Sequence, residues 1–253
     1  MILKVISLNI RHADDINGNT RKERMPRIKK VFAPIDADII NFQEYTPGWD
    51  VLRGELLGDE YDYYLQFRSE ETNPEAAFIS WKKDKFECLK KGTFWFSETP
   101  EVMSKSDGWD DVWDCYRICS YVILKEKQTG KAFTVMNTHF GFGDYGQLKS
   151  AKLIWEYSKK ISDNPTFITG DFNTNPETPA YNEMIKYFSD VNMQTAKDMG
   201  RTFHGYGKST KNSIIDYCFI DDKIKPVKSK RLDTLVDGKY LSDHYQIYFE
   251  LEI

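Results

Sequence analysis

Asp171 and Asn173 stand two residues apart in the stretch Pro165-Thr-Phe-Ile-Thr-Gly-Asp-Phe-Asn-Thr-Asn-Pro176. The apolar pair Phe167 and Ile168 reads as a buried strand that Gly170 breaks. If the extended backbone persists past Gly170, period-two alternation sends both polar side chains to one side. An acid beside an amide at a strand end suits hydrolysis. The carboxylate can orient or deprotonate a water, and the amide can donate to a developing anion. Gly170 lets backbone or substrate approach closely. The same residues also suit an Asx-rich turn, because Asp and Asn bond to nearby backbone. On this stretch alone the two readings stand level. A calcium loop is excluded: Pro176 stands where its Gly is required, and Asn182 where the bidentate Glu belongs.

The elements that must position such a site follow from periodicity. Ile2 to Leu8 reads as a strand ending on Asn9 and Arg11, and Asp38 to Glu44 as a second, closed by Gln43 and Glu44. Between them, Thr20 to Phe32 sets Arg24, Arg27 and Lys30 opposite Met25, Ile28, Val31 and Phe32 at helical spacing. A short helix over Pro47 to Leu57 precedes aromatic-rich strands at Tyr61 to Phe67, Ala76 to Trp81 and Phe86 to Phe96. Glu98 to Tyr116 is a Trp- and Asp-rich loop of functional or mobile type. Ile118 to Leu124 and Ala132 to Phe140 form a hairpin across Gln128-Thr-Gly130, and its second strand delivers His139. Helices over Gln147 to Ile161 and Pro179 to Phe188 flank the Gly170 strand. Strands at Ile214 to Ile220, Val227 to Leu232 and Tyr245 to Leu251 close the chain, with Asp243-His244 before the last.

Asn9, Glu44, His139, Asp171, Asn173 and the Asp243-His244 pair thus lie at or beside strand ends, and Asp216 lies inside a strand. A rigid scaffold with an open edge is where folds place chemistry. His12 and His204 fall in polar loops and read as ordinary loop histidines. The pattern alone gives a strand-rich α/β or α+β fold, with residues 1–253 as one domain and no internal repeat or linker.

Composition narrows the function classes. The 253 residues are 40% hydrophobic and 15% aromatic, enough for a sizeable core, so intrinsic disorder is excluded. A net charge of −4 argues against a tight, sequence-indifferent duplex binder. Nucleic acid stays open as a substrate, because a bound cation supplies local positive charge. Cys88, Cys115, Cys119 and Cys218 have no zinc spacing and read as buried free thiols of a reducing compartment. No run is apolar enough to span a membrane, and the first residues enter a strand with no leader pattern. The expectation is a cytoplasmic protein without membrane insertion, unless a leader has been removed, and no protein partner is implied.

Ser-Leu-Asn9, Gln43-Glu44, Asn-Thr-His139, Gly-Asp171-Phe-Asn173, Ile-Asp216-Tyr and Ser-Asp243-His244 occur in an order that resembles the endonuclease/exonuclease/phosphatase superfamily, the DNase I-like fold. The resemblance covers essentially the whole chain. Gly92-Thr-Phe-Trp-Phe-Ser-Glu-Thr-Pro100, Gly108-Trp-Asp110 and Arg117-Ile-Cys119 look like a bacterial branch of metal-dependent hydrolases, distantly similar to nocturnin-type deadenylases. That branch commonly continues Asn-Thr-His-Leu-Asp-His; here Phe142 stands where its second histidine would be.

The resemblance implies a four-layer sandwich, two mixed sheets face to face with helices outside. It also implies metal-assisted, in-line attack of water on phosphorus. An oxygen-rich set without a zinc-type cluster suits Mg²⁺ or Mn²⁺. Glu44 is then the primary metal ligand, with Asn9 beside it and Asp243 near the metal. Asp171 handles the water, Asn173 donates to the phosphorus centre, and His244, oriented by Asp216, bonds a phosphate oxygen. His139 contacts the phosphate from the other side, Glu75 orients His139, and Arg117 is a candidate phosphate fork. The substrate is a phosphoester: nucleic acid, RNA 3′ ends included, or a small sugar, nucleotide or lipid phosphate. Trp95, Trp109 and Trp113 read either as a stacking surface or as core. A catalytically inactive binding module on the same fold is the reading from another class, and the complete residue set argues against it.

Overall fold

Along the first strand, β1 (Ile2–Asn9), one face runs Leu3, Val5, Ser7, Asn9: apolar first, polar at the end. The same gradient recurs on β2 (Ile39–Tyr45) as Ile39, Asn41, Gln43, and on β7 (Ala132–His139) as Phe133, Val135, Asn137, His139. It recurs again on β8 (Thr166–Asp171) as Phe167, Thr169, Asp171, and reversed on β10 (Asp216–Ile220) as Asp216, Cys218, Ile220. The apolar halves of these faces share one buried cluster. The polar halves therefore collect at one end of the interface between two sheets.

The computed structural model describes residues 1–196 and 199–253. The remaining strands are β3 (Tyr61–Tyr64), β4 (Ala76–Lys82), β5 (Phe86–Trp95), β6 (Ile118–Glu126), β9 (Ser189–Asp190), β11 (Lys225–Leu232) and β12 (Gln246–Glu252). The first sheet has the order β11-β12-β1-β2-β4-β3 and the second β5-β6-β7-β8-β10-β9. Both are mixed: β1 pairs parallel with β2 and β7 with β8, while the other pairings are antiparallel. Helices α1 (Arg21–Phe32), α2 (Pro47–Asp50) and α3 (Arg53–Leu57) carry Ile28, Trp49 and Leu56 into a cluster on the outer face of the first sheet. On the second sheet, α4 (Asp144–Ile161) and α5 (Pro179–Met184) bury Ala151, Ile154, Ala180 and Met184, and α6 (Val191–Thr195) follows β9. The result is the four-layer sandwich of the DNase I-like type. Beneath the polar end, Gln43 Nε2 donates to Asn137 Oδ1 at 2.7 Å and Asn41 Nδ2 to Thr169 Oγ1 at 2.8 Å. These buried bonds lock one sheet to the other.

Several boundaries differ from periodicity. The Pro47 to Leu57 helix is split into α2 and α3, β3 ends at Tyr64, and α4 begins at Asp144. The helix expected to reach Phe188 stops at Met184, because Ser189 and Asp190 pair with β10. Asp216 opens β10 rather than lying inside it, and its backbone N–H is taken by Thr202 Oγ1 at 3.1 Å. Arg24 and Arg27, set by helical spacing opposite the apolar residues of α1, are themselves buried, since their guanidinium groups serve carbonyls of the preceding loop. Thr20 caps that helix in a capping box with Glu23. Only Cys119 and Cys218 are buried thiols; Cys88 and Cys115 are half-buried.

Candidate active site

Strict alternation along β2 would point Glu44 outward with Phe42. Instead the register slips between Phe42 and Tyr45, and Glu44 adopts φ 56°. This bulge lets Phe42 and Tyr45 both pack under the helices and turns Glu44 into the cleft. There Asn9 Nδ2 donates to Glu44 Oε1 at 3.1 Å and to Asp171 Oδ2 at 3.0 Å, joining the ends of the two sheets. On the second sheet, register sets His139 beside Asp171 and Asp171 beside Asp216 across three adjacent strands. Gly170 is required for that pairing, because a Cβ there would overlap the Thr138 carbonyl oxygen.

Asp171 is the convergence point. Its Oδ2, besides Asn9, lies 3.6 Å from both His139 Nε2 and His244 Nε2. Its Oδ1 accepts the Asn173 backbone N–H at 3.0 Å. The chain thus forms the Asx turn and the polar cluster together, so the two readings of this stretch were not alternatives. The extended backbone does not persist: β8 ends at Asp171, Asn173 has φ 48°, and its Nδ2 donates to the Phe140 carbonyl at 3.0 Å. One amide hydrogen of Asn173 is therefore committed to backbone and one remains.

His244 Nδ1 bonds Asp216 Oδ2 at 3.0 Å, which aims Nε2 at Asp171. Asp243 faces Arg11, with Oδ2 3.7 Å from Arg11 Nε, and Ser242 Oγ donates to its other oxygen at 3.2 Å. Glu75 Oε2 accepts from Arg68 at 2.7 Å and lies 3.7 Å from His139 Nδ1, beyond hydrogen-bond reach. His139 Nδ1 is buried and has no partner. Arg117 is buried rather than solvated; Asp110 holds its Nε at 2.9 Å, and its Nη1 has no partner. Glu44, Arg68, Glu75, Arg117 and His139 line a cavity of about 10 Å³, room for about one water.

Two site residues escaped the sequence reading. His12, taken as an ordinary loop histidine, gives its backbone N–H to Glu44 Oε2 at 2.8 Å, and its Nδ1 lies 2.6 Å from the same oxygen. Its place three residues past the strand-end Asn9 was the available signal. Arg68 carries no sequence signal; backbone pairing across Phe67 and Ala76 sets it opposite Glu75. His204 stays outside the cleft, packed between the rings of Tyr240 and Tyr245. Of the tryptophans, Trp95 and Trp109 are core at 8% and 7% exposure, while Trp113 is 67% exposed.

The electrostatics follow from this crowding. Burial, then the Asp216 charge, pushes Asp171 up to about 7. Burial also raises Asp243 and Glu75. It opposes ionisation of Glu44 too, but the His12 hydrogen bond outweighs it and holds Glu44 well below the usual carboxylate range. Burial disfavours a charge on His244, yet Asp216 and Asp171 overcome it and raise the imidazole to about 10. Burial and Arg117 keep His139 well below its ordinary value, hence neutral.

The endonuclease/exonuclease/phosphatase family model matches residues 6–244. Among solved structures, an endonuclease/exonuclease/phosphatase family protein from Bacteroides thetaiotaomicron is 29% identical, with TM-score 0.90, covering 99% of this chain and 97% of that one. A mannosyl-6-phosphatase from Bacteroides thetaiotaomicron VPI-5482 is also 29% identical, with TM-score 0.88 and coverage of 99% and 100%. The human Nocturnin catalytic domain with bound sulfate anion shares the fold at 15% identity, TM-score 0.79, with coverage of 99% and 94%. No curated protein matches the sequence.

Proposed function

The chain belongs to the endonuclease/exonuclease/phosphatase family and is a phosphoester hydrolase, and we propose that it works with Mg²⁺ or Mn²⁺ through the residues gathered around Asp171. The observation that carries this reading is the Asp171 Oδ2 atom, on which Asn9 Nδ2, His139 Nε2 and His244 Nε2 converge.

The residues present fit a divalent cation. Glu44, Glu75, Asp171, Asp216 and Asp243 crowd one cleft, and Asp171, Asp243 and Glu75 are pushed toward protonation. Burial first, and then repulsion from neighbouring acids, disfavours their charge, and a bound cation offsets both. The donors are oxygen atoms, which suits a hard ion. Glu44, ionised and turned inward by its bulge, would hold it, with Asn9 and Asp243 beside it. When bound, the cation would polarise a phosphoryl oxygen and offset the charge growing there.

The chain's own groups divide the remaining work. Asp171, near neutrality in its affinity for protons, orients the attacking water and takes its proton. His244, kept charged and fixed by Asp216, donates Nε2–H to a phosphoryl oxygen. Neutral His139 contacts the phosphate from the other side, with Glu75 and Arg68 bracing its environment. The free amide hydrogen of Asn173 and the unpartnered Nη1 of Arg117 complete the donor set. A binding module without activity is disfavoured, since it has no use for this full set.

A second reading concerns the substrate. Similarity to a mannosyl-6-phosphatase and the acidic balance favour a small phosphorylated molecule over long nucleic acid. We take residues 1–253 as one domain, because one cluster draws on both sheets, and the cytoplasm as its compartment, because four cysteines are free. Among the described residues, no helix is long and apolar enough to cross a membrane. A panel of phosphomonoesters and phosphodiesters, assayed with each metal and with a chelator, tests the function. Metal-dependent release of a phosphorylated or dephosphorylated product is expected; activity untouched by the chelator removes the metal site.

A further inference from the structure

We infer that His12 Nδ1 and Glu75 Oε1 join Glu44 Oε2 as ligands of the cation, a mixed nitrogen and oxygen set that takes a transition-metal dication in preference to Mg²⁺. The inference rests on the reading of Glu44 as the cation's ligand, and it adds two ligands and a metal preference.

One donor atom each from His12, Glu44 and Glu75 lies within 4.8 Å of the other two. His12 Nδ1 stands 2.6 Å from Glu44 Oε2 and 3.6 Å from Glu75 Oε1. Metal bonds of about 2.1 Å set neighbouring ligand atoms about 3 to 3.5 Å apart, so this spacing needs little movement. Both carboxylates are turned for it. Asn9 Nδ2 holds Glu44 Oε1 at 3.1 Å, and Arg68 Nη1 holds Glu75 Oε2 at 2.7 Å. Each acid is thus anchored by one oxygen and presents the other to the same imidazole nitrogen. The backbone is fixed on both sides of His12. Arg24 Nη2 donates to the Arg11 carbonyl at 3.0 Å and to the Ala13 carbonyl at 2.6 Å, and Trp49 Nε1 donates to that of Arg11 at 2.9 Å. Anchored acids and a braced loop hold a ligand set in place before the ion arrives.

A plain ion pair between His12 and Glu44 accounts for the shorter contact but leaves two features unexplained. The backbone N–H of His12 already holds Glu44 Oε2 at 2.8 Å, so the ring is not needed to orient that acid. Glu75 Oε1 faces Nδ1 beyond hydrogen-bond reach. A hydrogen on that nitrogen serves one carboxylate, whereas an ion among the three atoms serves both. The His12 side chain is 37% exposed against 12% and 14% for the two acids, which leaves the ion a way in from solvent. The nitrogen sets the metal. Mg²⁺ keeps to oxygen ligands and its own waters, while imidazole suits transition metals. Between Mg²⁺ and Mn²⁺, the set therefore favours Mn²⁺.

The test looks for nitrogen on bound Mn²⁺. Electron spin-echo spectra of the wild-type protein loaded with Mn²⁺ should show modulation from a directly bound imidazole nitrogen. His12→Phe, which keeps a ring without the nitrogen, should lose that modulation; His12→Gln repeats the reading should His12→Phe not fold. By calorimetry, the Kd for Mn²⁺ should rise roughly tenfold in the His12 variant, while that for Mg²⁺ changes less than about twofold. Glu75→Gln should weaken Mn²⁺ binding and keep the nitrogen modulation; unchanged Mn²⁺ affinity there overturns Glu75 as a ligand. Bound Mn²⁺ without nitrogen modulation, or modulation that persists without His12, overturns the inference and leaves the cation at Glu44 standing. A wild-type protein that binds neither cation overturns both. Modulation lost with His12, in a protein whose hydrolysis ignores a chelator, sustains the ligand set and removes the metal from the reaction.

Discussion

Arg24 is wholly buried, and its guanidinium bonds carbonyls rather than an acid: Ile10 at 2.5 Å, Ala13 at 2.6 Å, Asn19 at 2.9 Å and Arg11 at 3.0 Å. It thereby shapes the loop that delivers Arg11 and His12 to the cleft. Replacing it by Met strands several buried carbonyls, each worth ~1–3 kcal/mol unpaired. Arg24→Met should lose about 3 kcal/mol, or roughly 10 °C in a thermal melt of a chain this size. A midpoint unchanged within error would contradict that account. His244 gives a pH signature. Its affinity for protons is raised from the ordinary 6.5 to about 10 in the folded chain. The stabilisation is therefore complete below about 6.5 and lost as pH rises toward 10. In chelator, the wild-type melting point should fall across that window, while His244→Gln should vary less; parallel curves would refute it. At this scale the chemistry-bearing types were readable, but their surroundings were not. Helical spacing set Arg24 opposite the apolar face without showing the carbonyls that bury it, and the position of His12 just past Asn9 hinted at the site without showing that Glu44 lies against it.

Among elements, strand ends do the positioning. The shift from apolar to polar along Leu3, Val5, Ser7 and Asn9, and again along Phe133, Val135, Asn137 and His139, is written in the sequence at period two. It marks the end of the sheets at which the polar residues gather. The bulge at Glu44 was not written there, because alternation assigns position 44 to the wrong face and only packing of Tyr45 under the helices decides otherwise. Helix ends were misjudged for a related reason: β9 pairs with β10 and captures residues that local periodicity gives to α5. Gly170 lies between these cases, legible as a close approach without revealing to what. Gly170→Ala should push β8 from β7 and separate Asp171 from His139. We expect a stability loss of about 1–3 kcal/mol and an activity loss larger than stability explains. Activity retained in a folded Gly170→Ala protein would show that this spacing is dispensable.

The whole molecule brings together two sheets with different duties. Asn9, Glu44 and Asp243 come from the first sheet and its approach to β12, and form the proposed cation side. His139, Asp171, Asn173 and Asp216 come from the second and form the proposed water and phosphate side. Asn9 Nδ2 bridges the two through Glu44 and Asp171. If that division of labour is right, the two acids fail in different ways when neutralised. Glu44→Gln keeps the size and a carbonyl oxygen but removes the charge that attracts the cation, so excess Mg²⁺ or Mn²⁺ should restore part of its rate. Asp171→Asn removes the group that orients and deprotonates water, a loss of roughly 10²- to 10⁴-fold that added metal does not repair. Hydrolysis rate measured against metal concentration for the two variants decides it: rescue of Glu44→Gln alone is the expected result, and rescue of Asp171→Asn without rescue of Glu44→Gln would contradict the account.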